Sequence, residues 1–220
     1  MTETIGRSEL TRMVASAAAL VRERCAHLSE LDSVAGDGDH GSTMVRAVAK
    51  LEQVLAGPPC DDLKTLFHDL GWGVLGVDGG ASSSLLGTLF LGMADAPEMG
   101  AALDCRALAA AFEAGLKAVS RQTKARPGDK TMMDALVPAV EALHACAEAG
   151  QPVSEALQRA SAASRAGAEA TSNLIARYGR AKFLGEKTRG FQDPGATSIA
   201  LIFEGFSKGL AEAKGEVSNA

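Results

Sequence analysis

Apolar residues recur at steps of three and four through most of this chain, while the every-second-residue alternation of a half-buried strand is nearly absent. From Arg7 to Leu31 the stripe reads Leu10, Met13, Val14, Ala17, Leu20, Val21, Cys25 and Leu28, which is one face of an amphipathic helix. The same spacing returns in Met44, Val45, Val48, Leu51 and Leu55, in Leu63, Leu66, Phe67 and Leu70, and in Leu108, Phe112, Leu116 and Val119. Alanine-rich stretches around Ala109, Ala142, Ala162 and Ala168 favour helix and allow close helix packing; Gly, Pro, Asp and Ser clusters supply the breaks. The pattern predicts eight helices: Arg7 to Leu31, Gly41 to Leu55, Asp61 to Gly76, Ser82 to Asp95, Asp104 to Gln122, Thr131 to Ala149, Val153 to Tyr178, and Pro194 to Ala213. No Ser- or Pro-rich linker divides them and no fixed repeat appears. The expectation is one all-α domain over residues 1–220, an antiparallel bundle with short connections.

Charge and composition narrow the function. The net charge is −5, from 22 Lys and Arg against 27 Asp and Glu, and no basic run could track a nucleic-acid backbone, so nucleic acid is excluded as a partner. The start, MTETIGRSEL, lacks the order of a signal peptide, and the longest apolar stretch, around LLGTLFLGMA, is too short to span a bilayer. A cytoplasmic protein with no membrane partner is expected. Cys25, Cys60, Cys105 and Cys146 lie far apart, without metal or redox spacing, and read as buried free thiols.

Four junctions differ from ordinary polar loops: GDGDHGSTM, DGGASSS, PGDKTM and QDPGATS, which precede the second, fourth, sixth and eighth helices. In an up-and-down bundle the even-numbered helices all begin at one end, so these loops would meet on one face. Helix starts offer unpaired N–H groups and the positive end of the macrodipole, and Gly lets a ligand approach the backbone. Four convergent starts therefore make an anion site, most naturally for phosphate.

The first junction adds Asp32, Asp37 and Asp39. Three acids within eight positions repel unless a cation sits among them, and oxygen-only ligation suits a hard ion such as magnesium. Any one of them alone reads as a cap or turn residue; the three beside Gly36, Gly38 and Gly41 read as a metal site. Asp193-Pro194 is a cap followed by a first-turn proline, which is compatible with ligand contact. Arg180 lies in the basic loop GRAKFLGEKTRG with Lys182, Lys187 and Arg189, which reads either as a solvated surface or as functional. Lys130 and Thr131 could contact phosphate, but the sequence around them is also a good turn and helix start and is not a P-loop. His27, His68 and His144 share no ligand spacing and read as structural.

The motifs LDSVAGDGDHGSTM, GGASSSLLGTLF, PGDKTMMDALVP and GRAKFLGEKTRGFQDPGATS, in this order over nearly the whole chain, resemble the nucleotide-binding L subunits of dihydroxyacetone kinases. The resemblance implies an eight-helix antiparallel up-and-down barrel with ADP or ATP and two Mg2+ ions at one end. It gives Asp32, Asp37 and Asp39 the role of metal ligands. It places His40, Gly41, Ser42 and Thr43 on the phosphates, Ala81 and Ser82 against the nucleotide, and Met132 in the adenine pocket, with Arg180, Asp193, Pro194 and Gly195 completing the site. No residue of the chain is assigned as catalytic.

In that family a separate K subunit holds the short ketose, and the nucleotide end of the L subunit docks over it. The absence of an evident sugar pocket here agrees with half of a two- or three-component enzyme. One version of the family keeps ADP bound and recharges it from a phosphoprotein subunit of the phosphoenolpyruvate-dependent sugar phosphotransferase system; the other exchanges ATP and acts on a triose or tetrulose. His40 within GDGDHG and the short chain favour the first. Ser83-Ser84, Thr188-Arg189 and Phe191 depart from the usual residues at the rim. A different class also stands open, a nucleotide-dependent regulator that binds a transcription activator. Fatty-acid kinases carry a related helical domain within a longer chain.

Overall fold

A computed structural model describes residues 3–60, 62–97 and 99–217. Among these are nine α-helices: α1 (Arg7–Glu23), α2 (Cys25–Ser33), α3 (His40–Leu55), α4 (Leu63–Leu75), α5 (Gly80–Ala94), α6 (Cys105–Gln122), α7 (Met133–Glu148), α8 (Val153–Ala170) and α9 (Pro194–Val217). Short 3-10 turns cover Thr171–Asn173 and Arg180–Thr188. The described residues contain no strand; Ile5 and Leu103 form one isolated antiparallel bridge that fastens the N-terminal segment to the α5–α6 connection.

The order of packing is α1, α3, α4, α5, α6, α7, α8, α9, and α9 returns onto α1. Most neighbours after α3 are joined by links of ten residues or fewer, with 23 residues between α8 and α9, and successive helices run antiparallel in a closed ring of eight with α2 wedged between α3 and α9. The stripes read from sequence face inward: Met13, Val21, Leu28, Val48, Phe67 and Phe112 are all buried, joined in the core by Phe90 and Phe203. The interior is filled; the gap among Met13, Phe67, Phe90, Phe112 and Phe206 amounts to only about 10 Å³. The α1–α9 seam that closes the ring is bare backbone on one side. A methyl group at Gly205 would collide with the Ala17 backbone, and one at Gly209 with the Arg12 carbonyl.

Two helix boundaries differ from the periodicity. The helix expected from Arg7 to Leu31 breaks at Arg24 (φ −96°, ψ 9°). The hydrogen-bond ladder passes through it, from the Arg24 N–H to the Leu20 carbonyl (3.0 Å) and from the Leu28 N–H to the Arg24 carbonyl (2.9 Å), so the result is a kink. The kink lays α2 against the start of α3, where a side chain at Gly41 would strike the Cys25 carbonyl. The helix expected from Val153 to Tyr178 ends at Ala170. Thr171 turns the chain there: its hydroxyl donates to the Ala168 carbonyl (2.5 Å) and accepts the Asp193 N–H (2.8 Å), after which Leu174 is extended. Asp61, expected to open the third helix, lies outside the described residues. The four cysteines are free, but only Cys105 and Cys146 are buried; Cys25 and Cys60 are partly exposed, a correction to the expectation of four buried thiols. Among the described residues no helix is long and apolar enough to cross a membrane.

Helix starts at the end of the ring where α4, α6 and α8 begin are satisfied by side chains. Asp62 accepts from the Lys64 and Thr65 N–H groups at the start of α4, Asp104 accepts from Ala107 in α6, and Glu3 accepts from Ser154 in α8. Replacing Gly205 by Val should force α1 and α9 apart and cost about 1–3 kcal/mol, as overpacking does. Urea unfolding followed by circular dichroism measures this; an unchanged midpoint would mean that the seam is not closed by backbone contact.

Candidate functional site

The starts of α3, α5, α7 and α9 line one open cleft of about 680 Å³, together with the end of α2 and the loop around Arg180. Asp32, Asp37, Asp39, His40, Ala81, Ser82, Met132, Arg180, Asp193, Pro194 and Gly195 all border it. Gly41, Ser42 and Thr43 do not. Gly41 is packed under α2, Thr43 is buried beneath Gly79, and the exposed Ser42 turns its hydroxyl to the Asp39 carbonyl at 2.8 Å.

The acidic trio is a real cluster: one carboxylate oxygen from each of Asp32, Asp37 and Asp39 lies within 4.8 Å of the others. Gly36 and Gly38 let the loop turn this sharply. A Cβ at Gly36 would overlap the Asp32 carboxylate, and Gly38 has φ +76°, a conformation that favours glycine. The Gly38 N–H donates to Asp32 Oδ2 (2.9 Å), and the Gly36 N–H to the Asp32 carbonyl (2.6 Å). Arg180 supplies a positive charge, with Nη1 at 2.6 Å from Asp37 Oδ2. That hydrogen-bonded pairing holds the Asp37 carboxyl below the usual carboxylate range. Both partners are exposed, so the pair contributes little to stability. One guanidinium against three carboxylates leaves the cluster electron-rich, and the donor set is oxygen only, as a hard divalent cation requires.

Beside the acids, α3 and α5 begin without side-chain caps. The Thr43 N–H bonds the Asp39 carbonyl (2.9 Å), which leaves the first-turn N–H groups of His40, Gly41 and Ser42 as the groups α3 presents at its start. The cleft therefore combines oriented N–H donors with acids, while its inner wall is apolar, from Leu85, Leu86, Met132, Met133 and Ile199.

His40 is buried and ties three helix starts together. Its Nδ1 meets Ser82 Oγ (3.1 Å) and its Nε2 meets Ser198 Oγ (3.2 Å). Ser198 donates its own proton to the Gly195 carbonyl (2.9 Å), so it accepts from Nε2–H; Ser82 then donates to Nδ1. The bond to Ser198 puts a proton on Nε2, and burial, the largest influence, pushes the His40 pKa down, which favours the neutral ring. Asp193 caps α9 by accepting the Ala196 N–H (2.7 Å). Its carboxyl is sheltered although the residue is partly exposed, and burial raises its pKa to about 7.

Four residues that the sequence reading did not single out belong to this arrangement. Arg46 donates to the Asp78 carbonyl and to Thr43 Oγ1 (both 2.9 Å), holding the DGG loop on α3. Ser198 orients His40, and Thr171 receives Asp193. Asp134 accepts from the Thr131 N–H (2.8 Å) and the Gly128 N–H (2.6 Å), shaping the PGDKT turn. The Thr131-x-x-Asp134 spacing is a capping-box signal that could have revealed Asp134; Arg46 carries no comparable signal.

A family model described as the DAK2 domain matches residues 34–208. The chain belongs to the DAK2 domain family. Among its relatives is the protein of Escherichia coli (strain K12) named PEP-dependent dihydroxyacetone kinase, ADP-binding subunit DhaL, 34% identical over 91% of this chain and 96% of that one. The triokinase/FMN cyclase of Rattus norvegicus is 40% identical over 80% of this chain but only 30% of its own length. The crystal structure of the dihydroxyacetone kinase from C. freundii in complex with AMP-PNP and Mg2+ superposes with a TM-score of 0.72 and 30% identity, over 94% of this chain and 35% of that one. This DAK2 chain thus spans about a third of the C. freundii kinase and nearly all of the E. coli subunit. The DAK2 match takes in the motifs of all four cleft-lining helix starts and begins two residues after Asp32.

The raised pKa of Asp193 has a measurable consequence. The folded state holds this proton more tightly than the unfolded chain, so its contribution to stability is fully present below about pH 4 and is lost as pH rises through about 7. The depressed pKa of His40 acts in the opposite sense, adding stability as pH rises towards the ordinary histidine value. The difference in unfolding free energy between the wild type and Asp193→Asn isolates the first effect and should shift in favour of the variant between pH 4 and pH 8. A flat difference would place the Asp193 carboxyl in water.

Proposed function

We propose that the chain is the nucleotide-binding subunit of a dihydroxyacetone kinase, which positions a magnesium-bound nucleotide for phosphoryl transfer to dihydroxyacetone, or a related short ketose, held on a separate K subunit. The observation that carries this reading is the clustering of Asp32, Asp37 and Asp39 within 4.8 Å beside helix starts without side-chain caps, in one open cleft. Asp32, Asp37 and Asp39 would hold Mg2+, two ions in the full reading, which would neutralise phosphate charge. The start of α3 at His40 and the start of α5 at Ala81 and Ser82, which border the cleft, would orient the phosphates, while Gly41 lets α3 pack under α2 and Ser42 bonds the Asp39 carbonyl. Thr43 contributes through packing, because its own N–H is used within α3. Met132 and the apolar wall receive the adenine, and Pro194 and Gly195, at the start of α9, close the far side. Arg180 adds a positive charge at the mouth, where negative charge develops during transfer.

His40, neutral and engaged on both nitrogens, keeps the starts of α3, α5 and α9 in register; in this arrangement it takes no proton from the substrate. The alcohol is activated on the K subunit. The protein works in the cytoplasm as a single domain over residues 1–220, and its ADP stays bound and is recharged by a phosphotransferase-system phosphoprotein. The near-complete coverage of a subunit named PEP-dependent and ADP-binding favours this donor. The 40% identity to a protein named triokinase keeps exchangeable ATP as the second reading.

Calorimetry tests the core of the proposal. The wild type should bind ADP in the presence of Mg2+, and Asp37→Asn should lose that binding while keeping its helical circular dichroism, because the carboxylate is exposed. Wild-type affinity in the variant would remove the acids from the site. The purified chain with ATP should not turn over dihydroxyacetone until a K-type subunit is added; turnover by the chain alone would overturn the two-subunit reading. Nucleotide that survives extensive dialysis would favour the recharged coenzyme, and free exchange the ATP-dependent form.

A further inference from the structure

Lys130 is the one described non-glycine residue with positive φ (60°), a conformation that ordinary side chains rarely adopt. It is also buried, which is rare for lysine. Its ammonium does not point free into the cleft. It donates to the Thr171 carbonyl (2.6 Å) and to the Phe191 carbonyl. These two carbonyls stand at the two ends of the excursion between α8 and α9, so one side chain closes the neck of a loop.

The neck carries further bonds. The Asp193 N–H reaches Thr171 Oγ1 (2.8 Å), the Gly190 N–H reaches the Ser172 carbonyl (2.8 Å), and the Arg177 N–H reaches the Asp129 carbonyl (3.1 Å) in the turn that presents Lys130. Asp134 and Asp193 flank the ammonium and favour its charge, against the burial that lowers its pKa. The loop so closed carries Arg180, whose guanidinium lies on Asp37. An ammonium suits the task because it has three donors on a long stem and can bridge carbonyls that approach from different directions.

We propose that Lys130 is a positioning residue: by joining the carbonyls of Thr171 and Phe191 it holds Arg180 over the acidic trio and so governs how tightly nucleotide is kept, without itself touching phosphate. The inference rests on the nucleotide reading of the cleft.

Lys130→Asn is the first variant, because asparagine accepts the left-handed backbone while its short amide cannot bridge both carbonyls. In nucleotide-free protein, trypsin should cut after Arg180, Lys182, Lys187 or Arg189 about tenfold faster than in the wild type, since the loop opens more readily. With Mg2+ and ADP, the dissociation constant should rise about as much as in Arg180→Ala, and the double variant should be no weaker than Arg180→Ala alone. Losses that add in the double variant would mean that Lys130 contacts the nucleotide directly, and unchanged proteolysis would mean that the loop does not depend on it; either overturns the proposal. If Lys130→Asn does not fold, Lys130→Met goes through the same cycle, and failure of both to fold would make Lys130 a core residue and overturn the positioning role. A wild type that binds no ADP with Mg2+ would refute the nucleotide reading instead, while the proteolysis comparison still decides whether Lys130 closes the loop.

Discussion

The backbone contact between α9 and α1, made possible by Gly205 and Gly209, is what turns a row of helices into a ring. Without it the first and last helices would each present an apolar edge to water. Once it is made, the eight helices alternate in direction, and the starts of α3, α5, α7 and α9 fall at one end. The chemistry of the cleft is thus a consequence of closure and chain direction. Most of the loops need only carry the right few residues; the long excursion between α8 and α9 supplies Arg180.

The two ends of the ring treat their helix starts differently. Where α4, α6 and α8 begin, carboxylates occupy the N–H groups and stabilise the helices, by about 1 kcal/mol per cap. At the cleft end Asp193 caps α9, but Asp39 at the cap position of α3 makes no side-chain cap bond and α5 starts on Gly79 without one. A carboxylate bonded to those N–H groups would compete with any incoming anion. Acids and donors lie side by side here without neutralising each other, which leaves one face suited to a cation and the next suited to an anion.

Periodicity made the ring legible, since Leu10 to Leu28 or Leu108 to Val119 admit no other element, and glycine with serine or threonine marked the four junctions. The Arg24 kink was hidden because Val21, Cys25 and Leu28 keep helical spacing across it, and the close approach it makes, with the Cys25 carbonyl against Gly41, involves another helix. The end of α8 at Ala170 was hidden for a similar reason. Alanine and polar residues carry the pattern onward, and Thr171 stops it by bonding Asp193, 22 residues away. Of the candidate site residues, the acids were conspicuous in sequence because three like charges so close demand an explanation. His40 stood out beside them as a phosphate contact implied by the resemblance; its role in joining three helices depends on Ser82 and Ser198, which sequence spacing does not connect. Lys130 read as a turn residue or a phosphate contact, because only the fold brings the carbonyls of Thr171 and Phe191 to its amine.

These hidden features share a character. The left-handed lysine, the sheltered carboxyl of Asp193 and the helix starts without caps each lower the stability of the cleft end, and each persists because its surroundings leave no alternative. The opposing stabilisation lies elsewhere: in the filled interior, in the capped starts at the far end, and in Arg7, which bonds the carbonyls of Leu55 (2.9 Å) and Gly57 (3.1 Å) where α3 ends. A ligand that satisfies the open N–H groups and the acids together would return stability to the end that lacks it, by binding only the folded state.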